Sequence, residues 1–377
     1  MLLNADSLLK GFTDKQATDL YLTVGARPSI RYGNRIDPMT ETILTERDVR
    51  DFLTEILSPD VLDEFDSTLE YNTAINWKNL GRFRVNIFRQ RQHTGVVMRR
   101  IQSDIPSLSA LGLPAIYSQI IMEKRGLILV VGPTGSGKST SLASMLDYRN
   151  THGFGHIVTI EDPVEFLLEH KNCIITQRDV GIDTYSFGIG LKNTLRQTPD
   201  VIVIGEIRDK ETMEHAIIFS ETGHLCLATL HANNANQAIE RIINFFPEEK
   251  HRQILLNLSL NLKAIFSQRL VTTIPGSRTI ALEIMLNQGF IKNLIQEGRI
   301  KELKEQIEKS RDSGMQSFDQ ALIDLYIQGV ISEETALSES DNPANIRLAI
   351  KQYDMAKRPA GARALPADMG LPSKQQF

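Results

Sequence analysis

The sequence predicts a small α+β domain followed by a doubly wound α/β core, and two observations carry this prediction. Residues 1–101 mix a helical stretch at 47–57 with alternating runs, of which "GRFRVNIFRQRQ" is the clearest. Further along, four apolar runs alternate with amphipathic helices: "LILVVG", "HIVTIED", "VIVIGE" and "LCLATL". Short apolar runs of this kind are typical of a parallel sheet that is covered by helices on both faces.

The 377 residues are enough for two domains, and we place the boundaries where the composition changes. An N-terminal domain spans 1–101. A linker follows at 102–114, because prolines, serines and a glycine interrupt any period in "QSDIPSLSALGLP". The α/β core then spans 115–289, and a helical region spans 290–355. We expect disorder at 356–377, since this composition cannot bury a core.

The overall composition excludes several classes of protein. A formal charge of −4 gives no basic signal, so we expect no nucleic-acid partner. The two cysteines, Cys173 and Cys226, lie in apolar runs, which suits a reducing compartment and excludes a four-cysteine zinc site within one chain. No stretch approaches the roughly 18 to 20 apolar residues that span a bilayer, and the first residues do not resemble a secretion signal. We therefore expect a cytoplasmic protein.

A phosphate-binding loop is the strongest signal in the sequence. "GPTGSGKST", residues 132–140, matches G-x-x-x-x-G-K-[ST] between the strand "LILVV" and the helix "STSLASMLDY". Its glycines let backbone N–H groups and the following helix N-terminus point at phosphate oxygens. Lys138 is predicted to reach the β- and γ-phosphates of ATP, and Ser139 to contact Mg²⁺. The predicted nucleotide-binding residues are Gly132, Pro133, Thr134, Gly135, Ser136, Gly137, Lys138, Ser139 and Thr140.

Hydrolysis also requires carboxylates, for the metal and for the attacking water. Ligands of open α/β sheets gather at the carboxyl ends of the strands, where Glu206 closes "VIVIGE" and Glu161 closes "HIVTIED". We assign Glu206 to the Mg²⁺ shell and Glu161 to the water, and an exchange of these two roles stays open. Asp162 precedes Pro163, and capping of a turn explains this residue at least as well as a catalytic role does.

Two histidines bracket the run "GHLCLATLH". In an extended strand they lie roughly 20 Å apart, so they cannot share one metal ion. His231 stands at the carboxyl end of the strand and is predicted to contact the γ-phosphate or its water. His224 stands at the other end, where we predict a structural role.

Four segments together resemble the secretion ATPase superfamily of type II secretion and type IV pilus systems, the GspE/VirB11-like proteins. The phosphate-binding loop, "TIEDPVEF", "RQTPDVIVIGEIRD" and "ETGHLCLATLHANNANQAIERIINFFP" are similar to its Walker A motif, Asp box, Walker B motif and His box, in order and in spacing. The chain resembles the PilT/PilU retraction branch, which lacks the tetracysteine zinc insert of the extension ATPases. "FIKNLI", residues 290–295, departs from the PilT-type "AIRNLI" at Phe290 and Lys292, and the extended helical C-terminus is similar to the PilU type.

This resemblance implies a hexameric ring whose subunits have an N-terminal PAS-like domain, a RecA-like P-loop NTPase domain and a helical C-terminal extension. It implies an ATPase for type IV pilus retraction and twitching motility, peripheral at the cytoplasmic face of the inner membrane. The implied partners are a PilT-like retraction ATPase, which this chain would assist, and a PilC-like platform protein. The alternatives are an independent PilT-type motor, a type II or type IV secretion ATPase, a P-loop kinase, and an adaptor that binds nucleotide without cycling.

Arginines are concentrated in the N-terminal segment "GRFRVNIFRQRQHTGVVMRR". Alternation along a strand places Arg82 and Arg84 on one face, where a solvated sheet surface is the plain interpretation. The family resemblance implies that Arg84 and Arg99 reach the nucleotide of their own subunit as the N-terminal domain closes. Because Arg100 adjoins Arg99, either of these two residues could match the second arginine of the family.

Overall fold

A computed structural model describes residues 4–33 and 35–357. It contains two sheets in chain order, an N-terminal six-stranded sheet and a seven-stranded sheet in the core. The strands are β1 Asp19–Thr23, β2 Ser29–Tyr32, β3 Arg35–Pro38, β4 Glu70–Trp77, β5 Gly81–Gln90, β6 His93–Arg100, β7 Gly126–Val131, β8 Gly155–Glu161, β9 Cys173–Asp179, β10 Val201–Ile204, β11 Leu225–Leu230, β12 Leu262–Thr272 and β13 Arg278–Leu286.

Helices surround both sheets. The α-helices are α1 Ala5–Asp14, α2 Glu46–Ile56, α3 Pro59–Thr68, α4 Ile116–Ile120, α5 Lys138–His152, α6 Phe187–Thr194, α7 Lys210–Glu221, α8 Ala235–Asn244, α9 His251–Asn261, α10 Phe290–Gln296, α11 Leu303–Lys309, α12 Phe318–Ile327, α13 Glu333–Ser338 and α14 Pro343–Lys357. Short 3₁₀ helices cover Lys78–Leu80, Leu195–Gln197, Glu248–Lys250, Ile300–Glu302 and Arg311–Ser313. In the described part of the chain, none of these helices has the length and apolar character needed to cross a bilayer.

The N-terminal sheet is antiparallel, in the order β3-β2-β1-β6-β5-β4. Strand β5 shows how its sequence fixes the two faces. Phe83, Val85 and Ile87 are fully buried against the helices of this domain, while Arg82 and Arg84 alternate with them on the opposite face. The predicted alternation is therefore present, and the arginines lie on the face away from the apolar core.

The core sheet has the order β13-β12-β7-β11-β10-β8-β9. The four apolar runs form the neighbouring strands β7, β11, β10 and β8, which are parallel and almost entirely buried. The predicted parallel arrangement of the four runs is confirmed. At one edge the sheet also has an antiparallel pair, β12 and β13. Strand β9 extends the sheet parallel to β8, and β12 extends it on the other side parallel to β7.

The helical C-terminal region packs on the β12–β13 edge. Helices α12 to α14 form a separate apolar cluster with Val271 and Ala281. The Arg269 guanidinium lies over the Phe318 ring and donates to Asp341, 2.7 Å away. Helix α14 ends at Lys357, and the remainder of the segment for which we expect disorder, residues 358–377, lies outside the described residues.

Direct contacts join the two domains. The Arg82 guanidinium donates to Oδ2 of Asp179 at 3.0 Å, across 97 residues of sequence. In addition, the amide of Leu167 donates to the carbonyl of Gln102 at the start of the predicted linker. The N-terminal sheet is thereby attached to the end of β9, and the linker is attached to the loop between β8 and β9. The domain boundaries themselves stay predictions.

Candidate active site

The phosphate-binding loop connects the end of β7 to the start of α5. Gly132 is required by close packing, because a Cβ atom there would lie 2.5 Å from the Gln268 carbonyl oxygen. Gly137 precedes the helix with a φ of 87°, a left-handed conformation that favours glycine. The loop therefore has the backbone that a phosphate cradle needs, and α5 presents its N-terminus to it.

The side chains of this loop fit a bound nucleotide. Lys138 Nζ donates to the carbonyls of Gly132 and Pro133, at 2.8 and 2.9 Å, and burial lowers the pKa of Lys138 while Glu206 opposes that shift. The buried Ser136 hydroxyl has no hydrogen-bond partner among the described residues, so a phosphate oxygen could supply one. Ser139 lies exposed in the first turn of α5, where its hydroxyl can reach a metal held by phosphates.

Glu206 follows β10, and its two carboxylate oxygens contact His231 and Arg208. Its Oε1 lies 3.1 Å from Nε2 of His231, which follows the neighbouring strand β11. Its Oε2 accepts from Arg208 at 2.9 Å, and the same guanidinium lies 3.3 Å from Asp162. Arg208 thus joins the acids that follow two different strands. In the part of the chain that the structure describes, no three His, Cys, Asp or Glu residues form a metal cluster by themselves.

Glu161 ends β8, beside Gly205, which directly follows the neighbouring strand β10. The carboxyl is enclosed by protein, although part of the residue still reaches solvent, and burial raises the pKa of Glu161 to about 7. Its Oε1 accepts from the Thr159 hydroxyl at 2.6 Å and from the Gln177 amide at 3.3 Å, and these bonds oppose the rise. A carboxylate with such a pKa is suited to accept a proton near neutral pH.

Asp179 supports this corner of the site. It is Glu161's partner in the β8–β9 register and is 1% exposed. Besides the Arg82 ion pair, it accepts the amide N–H of Val164 at 2.5 Å. Asp179 therefore fixes the loop that follows Glu161 and contacts the N-terminal domain at the same time.

Arg84 and Arg99 lie directly opposite each other on β5 and β6 and share one face of the N-terminal sheet. Arg84 lines a cavity of about 130 Å³ between the domains, together with Asp162. Arg99 donates to Asp19 of its own domain at 2.7 Å. Arg100 stands opposite Phe83, which belongs to the buried face. Of the two adjacent arginines, Arg99 is therefore the one that shares a face with Arg84.

The two bracketing histidines lie at opposite ends of β11. His224 Nδ1 lies 3.1 Å from the Thr222 hydroxyl and 3.3 Å from the Phe219 carbonyl, contacts that fix the end of helix α7. The structure thus brings together His231, Glu206 and the loop lysine, and it holds His224 elsewhere. The roles that we assigned to the individual site residues stay predictions.

The sequence interpretation missed three residues at this site: Arg208, Gln177 and Asp179. A signal for Arg208 was present, because a cation two positions after Glu206 in "GEIRD" is placed to pair with that carboxylate. Gln177 and Asp179 belong to "CIITQRD", which the sequence interpretation did not include in the sheet. Without that strand, neither side chain can be placed beside Glu161.

Comparisons with known proteins agree with this geometry. A family model described as type II/IV secretion system protein matches residues 15–339. The type IV pilus ATPase PilU of Pseudomonas aeruginosa is 50% identical over 347 residues, which are 92% of this chain and 91% of PilU. The type IV pilus retraction ATPase PilT of the same organism is 38% identical over 89% of this chain and 98% of its own. A crystal structure of the retraction motor PilT with bound ADP superposes with a TM-score of 0.85 at 37% identity, over 91% of this chain and 98% of that one.

Proposed function

The chain belongs to the type II/IV secretion system protein family, as a pilus retraction ATPase of its PilT/PilU branch, and from this premise we propose that it is the accessory retraction motor of the PilU type. The identity of 50% to a PilU, against 38% to a PilT from the same organism, supports the finer assignment. The single structural observation behind ATP turnover is the shared edge of the core sheet, where Lys138 of the phosphate loop lies near Glu206 and His231, and Glu161 ends the strand beside β10.

Nucleotide binding falls to the loop 132–140. The backbone N–H groups of the loop and the N-terminus of α5 bind the phosphates, and Lys138 leaves its two carbonyl partners to neutralise the β- and γ-phosphates. Mg²⁺, when bound, would withdraw charge from these phosphates, with Ser139 as a ligand and Glu206 in its shell directly or through water. Ser139 belongs to the loop, and Glu206 lies near enough to Lys138 to influence its pKa, so the residues fit this metal.

Glu161 is assigned to the attacking water. Thr159 and Gln177 hold its Oε1, which leaves Oε2 as the oxygen that accepts a proton from the water as the γ-phosphoryl group is transferred. His231 follows β11, the strand beside β10; it orients Glu206 and faces the γ-phosphate. Two arginines complete the site: when the N-terminal sheet closes, Arg84 and Arg99 bring positive charge over the phosphates of their own subunit.

The assembly is proposed on the family resemblance. Six subunits form a ring, and the ring works beside a PilT-like ATPase on a PilC-like platform protein. The ring is peripheral at the cytoplasmic face of the inner membrane. An accessory role means that this chain hydrolyses ATP but retracts pili only when its PilT-like partner is present.

One experiment separates this proposal from its alternatives. Phosphate release is measured with the purified protein alone and with a PilT-like partner, and pilus retraction is measured in cells that have either protein, both or neither. We expect Mg²⁺-dependent turnover by the protein alone and retraction only with the partner. Retraction without the partner would indicate an independent PilT-type motor. No turnover under either condition would indicate an adaptor that binds nucleotide without cycling.

A further inference from the structure

Glu283 is a buried carboxylate that no step above uses. It lies on β13 and is 2% exposed. Burial raises the pKa of Glu283, and hydrogen bonds from Ala235 and Ser267 oppose the rise. A buried carboxyl is costly unless its hydrogen bonds are made, so its two partners show what it holds in place.

Both hydrogen bonds of the Glu283 carboxylate are made by the same oxygen. Its Oε1 accepts the amide N–H of Ala235 at 2.7 Å and the hydroxyl of Ser267 at 2.9 Å. Ala235 is the first residue of α8, and the first N–H groups of a helix have no acceptor within the helix. Ser267 is the residue directly opposite Glu283 on β12. Glu283 therefore attaches the start of α8 to β12.

Strand β12 is in turn attached to the phosphate loop. Ser267 pairs with Val131, the last residue before the loop. The next residue, Gln268, packs its carbonyl against Gly132 and accepts the hydroxyl of Ser141 in α5 at 3.3 Å. The start of α8 and the phosphate loop are thus fixed on the same strand.

Three residues separate Ala235 from His231, so the start of α8 limits where the His231 side chain can lie. We propose that Glu283 is a positioning residue for ATP hydrolysis: it holds the start of α8 so that His231 stays at Glu206 beside the phosphate loop. This proposal rests on the proposed function, in which His231 takes part in hydrolysis. Glu283 itself does not touch the nucleotide.

Matched variants test the contact. Glu283→Met removes both bonds and fills a similar volume, Glu283→Gln keeps an acceptor oxygen, and Ser267→Ala removes only the second bond. Amide hydrogen exchange of the segment 231–236 reports the contact without any activity. We expect exchange to become roughly tenfold faster in Glu283→Met, as for one lost hydrogen bond, and to stay near the parent in the other two. Unchanged exchange in Glu283→Met would overturn the proposal.

Turnover separates positioning from general damage to the core. Glu283→Met should lower kcat by about tenfold with the KM for ATP within about twofold, and Glu283→Gln should restore kcat. In a His231→Ala background Glu283→Met should cause no further loss of kcat, whereas an equal further loss would overturn the proposal. If Glu283→Met does not fold, Ala235→Pro deletes the donor N–H at a helix position that accepts proline, and it should give the same loss of kcat.

The two proposals fail in different ways. Normal turnover in His231→Ala alone would remove His231 from the mechanism, and with it the role given to Glu283. Impaired turnover in His231→Ala together with normal turnover in Glu283→Met would leave the mechanism intact and reject the positioning role alone.

Discussion

Nε2 of His231 lies 3.1 Å from Oε1 of Glu206, so the residues that follow two neighbouring strands meet in one contact. Burial lowers the pKa of His231, as does the charge of Lys138, while Glu206 acts in the opposite direction. The ring is therefore neutral near pH 7, and as a neutral imidazole it can donate one N–H to the carboxylate. Since Arg208 binds the other oxygen, the orientation of Glu206 is fixed from both sides.

Substitutions of Lys138 and Glu206 should separate nucleotide binding from ATP turnover. We expect Lys138→Ala to abolish hydrolysis together with tight nucleotide binding, because it removes the positive charge that neutralises the phosphates. Glu206→Gln should keep nucleotide bound but lower kcat by about 10²- to 10³-fold, as when a group that acts in the transition state is lost. Phosphate release and binding of a fluorescent ATP analogue measure the two effects. The exposed Lys124→Ala and Glu221→Gln are the controls, and normal turnover in Lys138→Ala and Glu206→Gln would reject the catalytic site.

Of the two histidines that flank β11, His231 should support turnover and His224 should support stability. We expect His231→Ala to lower turnover by about 100-fold while its effect on the free energy of unfolding stays below about 1 kcal/mol, since the ring is partly exposed. His224→Ala should do the reverse and cost about 1 kcal/mol, because it loses its contacts with Thr222 and Phe219. Thermal melts beside steady-state rates measure both quantities. Equal catalytic loss in the two variants, without loss of stability, would contradict the separate roles.

The raised pKa of Glu161 predicts a pH dependence of turnover. Because the base must be ionised, kcat/KM should fall about tenfold per pH unit below a pH of about 7. A pH profile of single-turnover rates measures this, and the exposed Glu169→Gln is the control. A profile that stays flat down to pH 5 would exclude Glu161 as the base.

The same pKa predicts an effect on stability with a definite sign. The folded-state pKa of Glu161 is raised. Its contribution to the free energy of unfolding is therefore fully present below the ordinary pKa of 4.5, and it is lost as the pH rises through about 7. Glu161→Gln has no such group and should be more stable than the parent at pH 8, by at most about 3 kcal/mol. The difference in the free energy of unfolding should shrink towards pH 4.5. A constant difference across this range would contradict the assigned burial.

Mixed rings should show which subunit supplies the arginines. Arg99→Ala subunits mixed with Lys138→Ala subunits are expected to stay inactive, because no site then holds both groups when each subunit uses its own arginine. Phosphate release after subunit exchange measures this, with the exposed Arg47→Ala in place of Arg99→Ala as the control. Recovery of activity on mixing would mean that a neighbouring subunit donates the arginine. Full activity of Arg84→Ala and of Arg99→Ala on their own would mean that neither acts on the nucleotide.

Most of the core sheet could be predicted because its central strands are buried on both faces and read as continuous apolar runs. Strand β9 could not, since it lies at an edge and exposes Ile174 between buried residues. Strand β12 was obscured by Ser267 and Gln268, whose polar groups are satisfied by Glu283 and Ser141. Such partners become neighbours only once the sheet has formed.

The candidate site likewise has residues that the sequence could assign and residues that it could not. Residues within a motif could be assigned, because spacing alone places the loop lysine before a helix and Glu206 after a strand. The support around Glu161 could not, because Asp179 comes from an unrecognised strand and Arg82 from the other domain. The raised pKa of Glu161 follows from this enclosure, which no local sequence pattern encodes.

The bond between Arg82 and Asp179 makes the position of the N-terminal sheet discrete. At 3.0 Å it tolerates a displacement of only about half an ångström before it is lost, and Asp179 is almost wholly buried. Leaving a buried charge without its partner costs about 3 to 5 kcal/mol. A sheet that moves away loses this bond early and leaves Asp179 with the N–H of Val164, so intermediate positions are unfavourable until a new contact forms. A motor built from such subunits would advance between defined stops, since gradual drift of its domains is the least favourable path.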